Sequence, residues 1–249
     1  MIGMLYFRGR TVAWKAGRGG RSSLMARLEG IKACVFDAYG TLFDVHAPVK
    51  RLAAEIGPKA DELTRLWRQK QIEYTWLRSL MGIHADFWKV TSEALEYALA
   101  FEGIEDPGLK DELMVLYLKL DPYPDVQGAL KALRSRGMRL AILSNGSPSM
   151  LDSAVRHAGL DKSFEHVLSV EDVGIYKPSR RVYRLATQKL GIHDAPSICF
   201  VSANPWDAQG AAQFGFQSVR VDRFGLEDEK IPGKPAAVIA SLAELAPLV

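Results

Sequence analysis

Short apolar runs rich in β-branched residues recur along the chain, separated by longer stretches of helical period. The runs are IKACVF (31–36), LAILS (140–144), HVLSV (166–170), ICFVS (198–202), QSVRV (217–221) and AAVIA (236–240). Such runs predict buried strands. Between them lie PDVQGALKALRSRG, SPSMLDSAVRHAG, KPSRRVYRLATQKLG and NPWDAQGAAQFG. Each opens near a Pro, Ser or Asp and closes at a Gly, as helix-capping chemistry requires. Strand, helix and strand with short links predict a parallel sheet covered on both faces. Residues 30–45 and 125–249 therefore read as one doubly wound α/β domain.

The stretch 46–124 breaks this alternation and reads as wholly helical. In DELTRLWRQKQIEYTWLRSLM, Leu63, Leu66, Trp67, Tyr74, Leu77 and Met81 recur largely at spacings of three and four, with Arg and Lys between. FWKVTSEALEYALAFEG and GLKDELMVLYLKL continue the helical pattern. A helical block inserted after the first strand suggests a cap over the sheet; further helices on one face are the simpler alternative.

Composition adds limits. The chain has 249 residues, 48% hydrophobic and 24% charged, an ordinary globular balance. No apolar run approaches the ~20 residues of a membrane-spanning helix. Cys34 and Cys199 both lie inside apolar runs, which points to small buried hydrophobes and a reducing cytoplasm. The net charge of +3 comes from the leader: residues 1–24 hold five basic groups and no acid, against 27 basic and 29 acidic groups in the remainder. The body is not basic, so nothing argues for nucleic acid. Residues 1–29 read as a flexible basic extension. An upstream stretch before a start at Met25 fits equally, and an Arg-rich presequence is the third reading.

Candidate chemistry follows from the strand ends, since ligands of open parallel sheets bind outside the carboxyl ends of the strands. The first run delivers Asp37, Tyr39 and Thr41; the second delivers Ser144 and Asn145. Lys177 follows the third, and the fourth delivers Ser202, Asn204, Trp206 and Asp207. Each has a plainer explanation. Asp37 would serve as a turn cap, Ser-Asn-Gly is ordinary turn chemistry, most lysines are solvated, and Asn204 or Asp207 would cap the next helix. A carboxylate against so apolar a strand is costly unless paired. A lysine beside Asp37 would keep it ionised, and the surrounding donors suit an anionic substrate.

Asp-x-x-Gly-Thr-Leu after a first strand, then Ser-Asn, Lys-Pro and an Asn/Asp cluster, resembles the haloacid dehalogenase superfamily. The order agrees over residues 30–249. In detail FDAYGTLFD, WRQKQIEYTWLRSLM, LAILSNGSP, IYKPSRRVY and FVSANPWD resemble the L-2-haloacid dehalogenases. The resemblance implies a Rossmann-like core (30–45 and 125–249) with an inserted all-helical cap domain (46–124). It implies a small-molecule 2-haloacid substrate, a released halide and no cofactor. It also implies a homodimer, with which the aromatic helical insert is compatible.

Most of that superfamily are magnesium-dependent phosphatases, with a second Asp two residues after the nucleophile as general acid. Here that position is Tyr39, a poor acid at neutral pH with a reference pKa of about 10. A departing halide needs no proton. Magnesium wants several oxygen ligands, commonly carboxylates, whereas SANPWD keeps only Asp207. No metal is expected.

By resemblance, Asp37 attacks C2 of a short L-2-haloalkanoate, expels halide and forms an aspartyl ester. Water then attacks the ester carbonyl and releases the D-2-hydroxy acid. Lys177 holds Asp37 ionised, Asp207 activates water, Ser202 and Asn204 position it, and Thr41 supports the nucleophile. Ser144 and Asn145 bind the substrate carboxylate; Arg68 and Asn204 receive the halide. Tyr183 matches a Tyr beside the lysine, with packing on its helix as the alternative. Ala38, Tyr39, Gln69, Ile72, Phe87 and Trp206 complete the substrate-binding wall. The rival readings are a phosphatase with an unusual acid and a catalytically idle scaffold.

Overall fold

The computed structural model describes residues 27–249, so the expected basic extension lies, but for its last three residues, outside the described residues. Leu28 is buried, and its N–H donates to Leu248 O at 2.7 Å. The six apolar runs form strands β1 (Ala33–Phe36), β2 (Arg139–Ser144), β3 (His166–Ser169), β4 (Ile198–Ser202), β5 (Gln217–Val221) and β6 (Ala237–Ile239). All pair in parallel, in the order β3-β2-β1-β4-β5-β6. The chain order therefore switches sides at β1, and the crevice at such a switch point is where an open sheet binds its ligand. Every residue of β1, β2's last five and all of β4 are buried, as a sheet flanked by helices requires.

The helices are α1 (Ala47–Arg51), α2 (Ala53–Ile56), α3 (Ala60–Met81), α4 (Phe87–Glu102), α5 (Pro107–Tyr117), α6 (Val126–Ser135), α7 (Pro148–His157), α8 (Arg180–Leu190), α9 (Pro205–Phe214) and α10 (Leu245–Leu248). The first five are the insert. The long α3 and α4 form its spine, pinned where the Trp67 indole N–H donates to Thr91 O at 2.9 Å. Apolar positions at helical spacing (Leu63, Leu66 and Trp67 against Val90, Ala94, Leu95 and Ala98) bury this seam.

The two chain crossings into and out of the cap run side by side. Asp44 N–H donates to Asp121 O at 3.0 Å and Tyr123 N–H donates to Leu42 O at 2.9 Å. Arg223, after β5, clasps both: its guanidinium donates to Thr41 O at 2.9 Å, pairs with Asp125 and lies 4.0 Å from the Tyr123 ring centre. The cap is thus hung from the edge of the sheet that carries the polar strand ends.

Candidate active site

Asp37 is the first residue past β1, and its N–H continues the ladder to Val201 O at 2.9 Å. Asp37 is 6% exposed, and both of its carboxylate oxygens have partners. The Lys177 ammonium donates to Oδ1 at 3.0 Å. Oδ2 accepts from Thr41 Oγ1 at 2.9 Å, from the Asn204 amide at 2.9 Å and from Ser202 Oγ at 3.5 Å. Thr41 Oγ1 also accepts Ala203 N–H at 2.8 Å, which ties the β1 turn to the β4 turn. Four donors around one buried carboxylate offset the desolvation that the sequence made a problem.

Lys177 is itself 1% exposed and reaches a second carboxylate, Asp207 Oδ2, at 2.8 Å. Asp207 Oδ1 accepts the Tyr183 hydroxyl at 2.8 Å. Burial alone would lower the pKa of Lys177; the carboxylates of Asp207 and Asp37 outweigh it, and the ammonium titrates above its ordinary value. Burial pushes Asp207 up, and the ammonium only partly offsets it. Tyr183 is both packed, beside Phe200 and Phe216, and hydrogen-bonded, and burial raises its pKa well above 10.0.

The plainer explanations for the β4 turn do not hold. Asn204 occupies the N-cap position of α9, but its side chain makes no cap bond. Its amide goes to Asp37 instead, while its Oδ1 accepts Arg68 Nη2 at 3.3 Å. Asn204 is thus the bridge between Asp37 in the core and the Arg68 cation of the cap. Gly210 on α9 has no room for a side chain, since a Cβ there would lie 2.7 Å from the Tyr183 hydroxyl.

Tyr39 is 3% exposed inside an aromatic box. Its ring stacks on Tyr117 at 5.6 Å and 11°, with Phe87 at 5.6 Å and Phe43 at 6.4 Å. Burial, then the neighbouring Tyr117 and Asp37, raise its pKa well above 10.0, and its hydroxyl has no hydrogen-bond partner among the described residues. Ala38 beside it is buried, and its carbonyl caps the turn by accepting from Leu42 N–H at 2.9 Å. The opposite wall approaches so closely that a Cβ on Gly146 would sit 2.6 Å from the Tyr39 ring. There Ser144 Oγ accepts Gly146 N–H at 3.0 Å, and Asn145 Oδ1 accepts Lys177 N–H at 3.1 Å. These bonds leave the Ser144 hydroxyl hydrogen and the Asn145 amide free to donate to a ligand.

From the cap, Arg68 donates to Gln71 Oε1 at 2.6 Å and to Tyr39 O at 3.2 Å. Arg68, Gln69, Ile72 and Trp206 line one cavity of about 490 Å³ with Asn204 and Gly40. Phe87 lies deeper, against Tyr39. The candidate site residues therefore gather around Asp37 and the cap–core seam, with Tyr183 behind Asp207 in the core.

Three groups escaped the sequence reading. Gln71, 1% exposed, donates to Thr91 Oγ1 at 2.7 Å and to the Tyr117 hydroxyl at 3.1 Å while holding Arg68. Its signal was an amide at a buried position of the α3 repeat. Tyr176, beside Lys177, donates its N–H to Ser79 Oγ at 3.3 Å and its hydroxyl to Ala85 O, with His84 bonded to Glu171 at 3.0 Å nearby. Arg223 holds Thr41 from a loop about 180 residues along the chain. Neither of these two had a local signal. No group of three or more His, Cys, Asp or Glu among the described residues is placed to hold a metal ion, and no helix there is long and apolar enough to cross a membrane.

Known proteins resemble this chain in sequence and fold. Residues 31–215 match the family model described as haloacid dehalogenase-like hydrolase. The chain is 47% identical to (S)-2-haloacid dehalogenase 4A of Burkholderia cepacia, over 89% of this chain and 96% of that protein. A solved dehalogenase structure superposes with a TM-score of 0.86 at 47% identity, covering 89% of this chain and 98% of the other. The L-2-haloacid dehalogenase of Xanthobacter autotrophicus, solved with chloropropionic acid covalently bound, superposes with a TM-score of 0.81 at 38% identity, covering 88% and 98%.

Proposed function

Because the chain belongs to the haloacid dehalogenase-like hydrolases, we propose that it hydrolyses the carbon–halide bond of short L-2-haloalkanoic acids, giving D-2-hydroxyalkanoic acids. The observation that carries this reading is the contrast between Asp37 and Tyr39. Asp37 is held by a cation and three further donors. Tyr39, where a leaving alkoxide would need its acid, is a buried phenol that holds its proton tightly.

Asp37 Oδ1 carries only the lysine, so it keeps a lone pair for C2 while Oδ2 is held in place. The oxygen–carbon bond forms as the carbon–halide pair leaves as halide, beside Arg68 and Asn204. Ser144, Asn145 and nearby backbone N–H groups hold the substrate carboxylate. Water then adds to the ester carbonyl of Asp37, Asp207 taking its proton, with Ser202 and Asn204 positioning it. The carbonyl–oxygen bond breaks and the alkoxide takes the proton as the 2-hydroxy acid. Burial raises the basicity of Asp207 and suits it to this step. The carboxylates do not suit magnesium: Lys177 already stands between Asp37 and Asp207 at 3.0 and 2.8 Å, so the reaction is metal-independent.

Chloride release from L-2-chloropropionate and phosphate release from p-nitrophenyl phosphate, assayed in parallel with and without magnesium, test the reading. Chloride release indifferent to chelator is expected; phosphate release alone would sink it. A single turnover in heavy-oxygen water should label Asp37 and leave the product unlabelled.

The reading extends to a cytoplasmic homodimer. Two buried thiols suit a reducing compartment. The cap exposes an apolar face, with Leu77, Met81, Ile83, Tyr97 and Phe101 each at least 40% exposed, of the kind a second copy covers. Sedimentation should give twice the chain mass of 27.6 kDa.

A further inference from the structure

Among the described residues, two apolar cavities lie side by side along the cap–core seam. The first, about 490 Å³, reaches the site at Gly40, Arg68 and Asn204. The second, about 650 Å³, is lined by Leu80, Ile175, Tyr176, Pro178 and Ile231. Trp76, Trp206 and Glu229 belong to both, so these three side chains form the partition. Trp76 comes from α3 and Trp206 from the first turn of α9. Their rings meet edge to face, at 5.4 Å and 89°.

The partition has a direction. Arg68 and Asn204 lie on the first side; the second side is mostly apolar, and Lys177, which also lines it, has its ammonium committed to Asp37 and Asp207. Glu229 stands at the divide and opposes a second carboxylate there, whereas an alkyl chain meets no such penalty. Ligand cavities of roughly 300–1,000 Å³ suit drug-sized molecules, so a short haloacid leaves most of this space unused.

We propose that Trp76 sets the length of alkyl chain accepted at C2: its indole ends the first cavity, and without it the two spaces become one groove for longer unbranched monocarboxylic 2-haloacids. This rests on the dehalogenase reading. Trp206 is braced by the start of α9 beside Asn204, whereas Trp76 is 37% exposed on the cap, so Trp76 is the leaf that can be trimmed without moving the groups around Asp37.

The test is the ratio of kcat/KM for 2-bromooctanoate to that for 2-bromopropionate, in the unaltered enzyme, Trp76→Ala and Trp76→Phe. A ratio cancels differences in active fraction between preparations. Trp76→Ala should raise it about tenfold or more, the scale on which apolar pockets discriminate chain length. Trp76→Phe, which keeps an aromatic contact to Trp206, should move it in the same direction by less. An unchanged or lowered ratio in both variants overturns the proposal. Failure of the unaltered enzyme to release halide from the short substrate would instead sink the dehalogenase reading, and this inference with it.

Discussion

Tyr39 decides between reactions because of what surrounds it. Its hydroxyl is buried and has no partner among the described residues, a cost of about 1–3 kcal/mol for a hydroxyl left without its hydrogen bond. Tyr39→Phe removes that group and keeps the stacking on Tyr117 and Phe87. Its stability in urea should therefore equal or exceed that of the parent, unlike the typical loss of about 1 kcal/mol on a core substitution. A clear loss would mean the hydroxyl has a partner. Lys177 is the opposite case, a buried charge whose partners are both present. Replacing it with Met leaves Asp37 and Asp207 close together and unpaired, a loss of about 3–5 kcal/mol by the measure of broken buried pairs. Halide release should vanish with it. Both residues were legible in the sequence because a parallel sheet delivers strand ends to one edge. The state of the Tyr39 hydroxyl was not, since Phe87 and Tyr117 come from elsewhere in the cap.

At the scale of elements, α3 and α9 work by withholding ordinary helix chemistry. Asn204 gives up the N-cap bond of α9 to reach Asp37, and Gln71 takes a buried place in the α3 repeat to fix Arg68. The strands and core helices could be read from runs and caps, because burial on both faces leaves an uninterrupted apolar run. The Gln71 network could not, because Thr91 and Tyr117 reach it only through the packing of α3, α4 and α5. Gln71→Leu keeps the volume and removes bonds of 2.6, 2.7 and 3.1 Å, freeing the guanidinium to swing. Turnover should fall by about 100-fold, the cost of a misplaced group near the chemistry. Circular dichroism should show the cap helices intact. Unchanged turnover would remove Gln71 from the positioning of Arg68.

Across the whole molecule, the site is a junction rather than a pocket in one unit. Lys177 joins the β1 turn to α9, and its loop is tied to the cap through Tyr176. Its ionisation therefore bears on the stability of the entire fold. The folded-state pKa lies above the ordinary 10.5, the two carboxylates having outweighed burial. A cation whose pKa is raised on folding binds its proton more tightly in the native state. The stabilisation is complete below the ordinary value and is lost as pH rises through the folded one. Activity follows the same window, since neutral Lys177 no longer compensates Asp37. Halide release and the thermal midpoint should hold through pH 9.5, below both values, and fall only above the ordinary lysine range. A decline centred well below pH 10 would mean that Lys177 loses its proton more readily than the paired carboxylates allow. In Lys177→Met the alkaline step in thermal midpoint should shrink, because the group that titrates there is gone.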